Sequence, residues 1–147
     1  AQGVFDGSYY KVNPAALDNP ETSWIFDGIQ NEKMGDFGFS EGEAPGFELD
    51  GVVYGLGTLE NIHLLPISEN LGDPFVLVPE ELLTHITTWS VDPLDALLRA
   101  DMVYQKTENG GHLFSVGSIT YCGSLLHNNG DNNISKLTKN VLDRFLE

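Results

Sequence analysis

The sequence predicts an incomplete α/β domain, and three observations carry that reading. The chain has 147 residues, 41% of them hydrophobic, which suffices for one core of ordinary density and falls short of two comfortable domains. Short runs of β-forming residues follow one another through the middle, and the chain closes on an amphipathic helix after a glycine-rich crossing. It opens without a strand-helix repeat, so it does not hold a full doubly wound sheet by itself.

Residues 1–50 carry dense punctuation, among it Gly3, Gly7, Pro14, Pro20, Gly28, Gly35, Gly38 and Pro45, and are read as a loop-rich segment broken by short extended pieces. Trp24-Ile25-Phe26 is its first compact apolar run. So many glycines and aromatics predict a segment that wraps something larger. Residues 51–147 form the second region, of strands and a C-terminal helix. Val52-Val53-Tyr54, Ile62 to Ile67 and Phe75 to Val78 read as strands, 79–83 as a short helix opened by Pro79, and Ile86 to Trp89 as another strand. One or two helical turns are expected over 93–99, then a strand over Met102 to Gln105. Asn109-Gly110-Gly111 predicts a tight turn into a buried strand over 112–118, which makes a hairpin or two sheet strands with a tight connection. Ile134, Leu137, Val141, Leu142 and Phe145 recur at helical spacing, with N-cap oxygens offered over Asp131 to Asn133. No internal repeat or low-complexity tract interrupts the chain.

Charge and composition narrow the classes of function. Seven Lys and Arg stand against 22 Asp and Glu, and the net charge of -15 repels a phosphate backbone, so nucleic acid is not an expected partner. The plain meaning of this excess is a solvated acidic surface, with salt adaptation or a basic partner as alternatives. No apolar run reaches the ~18 residues of a membrane span. Cys122 is the only cysteine, which rules out an intrachain disulfide and fits a cytoplasmic protein. The start, AQGVFDGSYY, has no basic or apolar leader and no initiator Met, so it is expected to be processed, truncated or internal to a longer product.

Several stretches taken together are similar to one family. Gly110-Gly111-His112-Leu113-Phe114-Ser115-Val116-Gly117-Ser118-Ile119-Thr120-Tyr121-Cys122-Gly123-Ser124-Leu125 continues into Asp131-Asn132-Asn133-Ile134-Ser135 and Asn140-Val141-Leu142-Asp143-Arg144-Phe145-Leu146. Upstream stand Trp24-Ile25-Phe26-Asp27-Gly28-Ile29, Gly35-Asp36-Phe37-Gly38, Gly46-Phe47-Glu48-Leu49-Asp50 and Leu98-Arg99-Ala100-Asp101-Met102-Val103-Tyr104. In this order they resemble the C-terminal portion of the large (beta) subunit of N,N-dimethylformamidase-like amidohydrolases. The resemblance implies the closing part of a domain similar to class I glutamine amidotransferases. It also implies hydrolysis of small N-substituted formamides, and an iron ion held by tyrosine and carboxylate ligands that lie mainly outside this chain. Other segments or subunits of the same enzyme are then its partners and a small amide its substrate.

Glu48 is the leading catalytic candidate. It stands between Gly46-Phe47 and Leu49, where burial beside apolar neighbours raises a carboxyl toward the range of a general base, and it resembles a glutamate that lines the family's hydrolytic site. The alternative is that Glu48 or Asp50 starts a strand and caps a loop. His127 and Asn128 follow a glycine-bearing strand end, the kind of junction where α/β proteins place ligand groups; the alternative is a solvated loop histidine. His63, His85 and His112 lie in or beside apolar runs and show no metal-site spacing. Cys122 has no basic neighbour to activate it and is expected to be an inert, buried thiol. Gly117-Ser118 and Gly123-Ser124 offer N–H groups for an oxyanion or, alternatively, close packing. A second class of function, a non-catalytic structural or binding module that stabilises a partner subunit, fits the same elements.

Overall fold

The computed structural model describes residues 8–30, 32–39, 42–69, 71 and 98–147. These residues form a small α/β domain with a five-stranded antiparallel sheet and a C-terminal helix. The strands are β1 (Tyr10–Lys11), β2 (Lys33–Met34), β3 (His63–Ser68), β4 (Ala100–Lys106) and β5 (His112–Ser115). Their spatial order is β2-β1-β3-β4-β5. The helices are α1 (Pro14–Asp18), α2 (Tyr121–Ser124) and α3 (Asn133–Phe145), with single 3-10 turns at Ser23–Phe26, Tyr54–Leu56 and His127–Gly130. The strands expected over 75–78 and 86–89, the helix over 79–83, most of the turns over 93–99 and His85 lie outside the described residues.

Helix α3 forms where the apolar spacing places it. The Asn132 side chain accepts from the Ser135 N–H at 2.8 Å and caps its first turn. Ile134, Leu137 and Val141 face inward and are at most 1% exposed, each contributing about 1.5–3 kcal/mol by burial. Leu142 and Phe145 depart from that expectation and are 55% and 39% exposed. Seven residues separate Ile134 from Val141 and fill the stripe, and Leu142, one position further round, turns to solvent.

The hairpin is also found. Lys106 opposes His112 and Val103 opposes Ser115 across the Asn109-Gly110-Gly111 turn, where Gly110 takes a left-handed φ of 84°. Strand β5 stops at Ser115 and alternates half-buried with exposed, so the longer buried strand expected over 112–118 is corrected. As the edge of the sheet, β5 presents one face to water. Strand β4, flanked on both sides, is buried from Ala100 to Gln105.

One further expectation changes. Val52-Val53-Tyr54 is not a strand: its backbone leads into the 3-10 turn at Tyr54. The compact apolar run Trp24-Ile25-Phe26 is 3-10 helical. The first third contributes to this chain's core, since Tyr10, Ile25, Met34, Ala44 and Leu49 are buried together with Leu65, Met102 and the inner face of α3. Asn140 pins the 3-10 turn to α3 by donating to the Ile25 and Asp27 carbonyls at 2.9 and 3.1 Å. Among the described residues no helix is long and apolar enough to cross a membrane.

Candidate functional site

Glu48 lies on the loop 44–52, and one stretch of chain, 117–120, clamps that loop on both sides of it. Before it, the Gly46 N–H donates to Thr120 Oγ1 at 2.8 Å, and the Phe47 carbonyl accepts from Ser118 Oγ and from the Ile119 N–H, both at 3.1 Å. After it, the Asp50 N–H donates to the Gly117 carbonyl, and the Asp50 carbonyl accepts from the Asp101 N–H, both at 2.9 Å. Between these clamps Glu48 has a φ of 48°, the left-handed region that costs a non-glycine residue about 1–2 kcal/mol. The bonds on both sides hold the residue in this strained conformation.

The side chain of Glu48 is exposed, which corrects the expected burial. Leu49, 2% exposed, and the half-buried Phe47 take the inward positions, and the left-handed turn leaves the carboxylate on the outside of the chain. Water and any docked surface reach it directly.

Behind the loop sits a buried carboxylate that the sequence reading passed over. Asp101 Oδ2 accepts from the Val52 N–H at 2.6 Å and pairs with Arg99 Nε at 2.9 Å, and Arg99 also donates to the Val52 carbonyl. Its Oδ1 is buried with no hydrogen-bond partner among the described residues. Burial raises its carboxyl above the ordinary 3.8; the Val52 N–H and Arg99 pull it down, and Glu69 adds to the rise. Because the folded state holds this proton more tightly than the unfolded chain, the stabilisation is complete below pH 3.8 and is lost as pH rises through the folded value. In urea unfolding at a series of pH values, Asp101→Asn is expected to remove that decline above pH 3.8. Parallel profiles for the two proteins would contradict it.

His127 and Asn128 stand further along the segment that starts at Gly117. The His127 ring, half-buried, stacks on Phe37 with centroids 4.2 Å apart and leans on Phe39 at 5.7 Å. Asn128 is exposed, has a φ of 51°, and donates from Nδ2 to the Asp131 carbonyl at 3.0 Å. Nearby, Cys122 is exposed, correcting the expected buried thiol: the first turn of α2 buries Tyr121 and Ser124 and leaves Cys122 outside. The segment 117–132 thus clamps the Glu48 loop near its start and carries His127 further along. Among the described residues no group of three or more His, Cys, Asp or Glu is placed to hold a metal ion.

With this geometry in place, comparison with known proteins is decisive. The sequence pattern of the family described as N,N-dimethylformamidase beta subunit-like, C-terminal, matches residues 1–133. The chain belongs to that family. It is 38% identical over 144 residues to the N,N-dimethylformamidase beta subunit of Paracoccus aminophilus, and 37% identical over 144 residues to that of Alcaligenes sp. Each match covers 97% of this chain and 19% of the relative, so the chain spans about a fifth of their length.

A second group of polar side chains, set at one end of the sheet, was not singled out by sequence. His63 Nε2 is 3.1 Å from Glu21 Oε2, and the Tyr104 hydroxyl is 2.8 Å from His112 Nδ1. With Trp24 and Arg144, whose guanidinium lies 4.7 Å from the Trp24 ring centre, they line a recess of about 340 Å³. Burial raises the Tyr104 hydroxyl, Arg144 opposes this, and Glu21 adds to it. The register that sets His63 opposite Tyr104 and His112 opposite Lys106 makes the group, and no local spacing announces such a register.

Proposed function

We propose that this chain is part of an amidohydrolase subunit that cleaves the C–N bond of small N-substituted formamides such as N,N-dimethylformamide. The observation that supports it is the 38% identity to a dimethylformamidase beta subunit along 97% of the chain, with the Glu48 loop inside the matched region. In this reading the sheet and α3 are the closing part of a larger domain similar to class I glutamine amidotransferases. Other segments or subunits complete the site. With its single cysteine, the protein is assigned to the cytoplasm.

Glu48 supplies the base. Its exposed carboxylate takes a proton from water, the water oxygen bonds to the formyl carbon, and the tetrahedral adduct collapses with loss of the C–N bond. The proton passes from Glu48 to the leaving nitrogen, so the products are the amine and formic acid. His127 and Asn128 are assigned to orienting the amide. Iron is proposed as the cofactor, held by residues outside this chain; the described residues offer no cluster to bind it, and no step assigned here runs through it.

The test is the complete polypeptide that contains this chain, with its partner subunits, given N,N-dimethylformamide, N-methylformamide and acetamide in turn. Release of amine and formate from the formamides is expected. A folded enzyme that leaves all formamides intact would overturn the reading.

A further inference from the structure

We infer that the surface built by residues 117–127 and Phe39 is the face on which the remainder of the dimethylformamidase beta-type polypeptide docks, an inference that rests on the function proposed above. Its side chains are unusually apolar for a wetted surface. Leu126 is 76% exposed, Phe39 69% and Ile119 59%, and the Cys122 thiol is exposed among them. Exposed apolar groups held together on one segment mark an interaction surface, whereas isolated ones do not.

The face is also pre-shaped. The Phe39 N–H donates to the Gly123 carbonyl at 3.1 Å, Ser124 Oγ donates to the Phe37 carbonyl at 2.6 Å, and the His127 ring stacks on Phe37 and lies tilted against Phe39. A single side chain, Asn132, reaches the carbonyls of Ser124, Leu125 and His127 at 3.3, 3.2 and 2.7 Å. Apolar side chains held this firmly are ready to bind without further ordering.

Two observations name the occupant. The relatives continue well beyond the 19% that this chain matches, so a large polypeptide is at hand to cover the face. The segments 35–52 and 117–132 contain no Lys or Arg, and Glu48, Asp50 and Asp131 are exposed on them, while Asp36 is paired with Lys33 at 3.3 Å. The complementary surface is therefore apolar at its centre and basic at its fringe. A second copy of this chain, with the same acidic fringe and a net charge of -15, is repelled. Because 117–120 also clamps the Glu48 loop, a body docked here bears on the segment that fixes the Glu48 backbone.

The test uses the complete polypeptide with its partner subunits. Cys122 alkylation by iodoacetamide is followed by mass spectrometry of its own peptide, in the native protein and after unfolding in urea. Native Cys122 is expected to react about a hundredfold more slowly than in urea, the ratio of closed to open face. Phe39→Asp with Leu126→Asp, or the milder Leu126→Asp alone, should bring the rate to within a few-fold of the unfolded value while circular dichroism stays unchanged. Leu142→Asp, on the outer side of α3, should leave it protected. Alkylation of the native enzyme at the unfolded rate, or full protection in the double variant, would overturn the inference. So would protection that disappears on dilution, since that belongs to a second copy. Formamide hydrolysis is measured on the same samples: protection without hydrolysis defeats the proposed function and leaves the docking face standing.

Discussion

Gly117→Ala is expected to destabilise the protein by about 3 kcal/mol. That sum combines about 1–2 kcal/mol for a left-handed non-glycine residue with a similar overpacking term. Gly117 has a φ of 63°, and a Cβ there would stand 2.6 Å from the Asp101 carbonyl oxygen, 2.7 Å from the Asp50 carbonyl oxygen and 2.8 Å from the Asp101 nitrogen. All three are backbone atoms of segments that are themselves hydrogen-bonded, so none yields as a flexible side chain would. Relief requires parting the 49–52 loop from β4, which breaks the Asp101 to Asp50 bond and loosens the clamp behind Glu48. The urea midpoint should fall and turnover should fall with it. Full stability in the variant would show that 117 and 50 approach less closely than described.

The other large effect falls on chemistry and is local to one side chain. Glu48→Gln keeps the size and the hydrogen-bonding capacity and removes the negative charge. If the carboxylate is the base, kcat should drop by ~10²- to 10⁴-fold, the usual worth of a positioned proton acceptor. The KM should move little, because the amide does not need the charge in order to bind. The clamp makes this clean: the hydrogen bonds described on either side of Glu48 are made by backbone atoms and by the side chains of Ser118, Thr120, Asp101 and Arg99.

Legibility followed the distance over which each feature is encoded. Helix α3 and the β4–β5 hairpin were readable because a cap, an apolar period and an Asn-Gly-Gly turn lie within a few residues. Strand β3 was readable too, with Pro66 tolerated where the ladder to β4 shifts register between Leu64 and Ile67. Helix α1 carries a local signal that was passed over amid so many breakers, an Asn13 cap accepting from the Ala15 N–H at 3.1 Å with Pro14 at the first turn. The insertion of β1 between β2 and β3 joins segments more than 50 residues apart and leaves no such trace.

The candidate residues were read from the sequence, and their environment was not. Glu48, His127 and Asn128 were picked out by type and position, yet the burial expected for Glu48 was the reverse of what is found, since a left-handed residue breaks the alternation that flanking Phe47 and Leu49 imply. Asp101 was hidden for the opposite reason: in sequence it is one acid in an acidic chain, and only the fold sets it against Arg99 and the Val52 N–H.

The central claim, that Glu48 contributes its carboxylate to hydrolysis and does not merely shape a loop, is tested most directly by Glu48→Gly in the complete enzyme. Glycine suits the φ of 48° better than glutamate does, so the variant should be at least as stable as the parent, by up to about 1 kcal/mol. Turnover of N,N-dimethylformamide measured on that stable protein is predicted to fall by two or more orders of magnitude, as for Glu48→Gln; turnover at the parental rate would contradict the account.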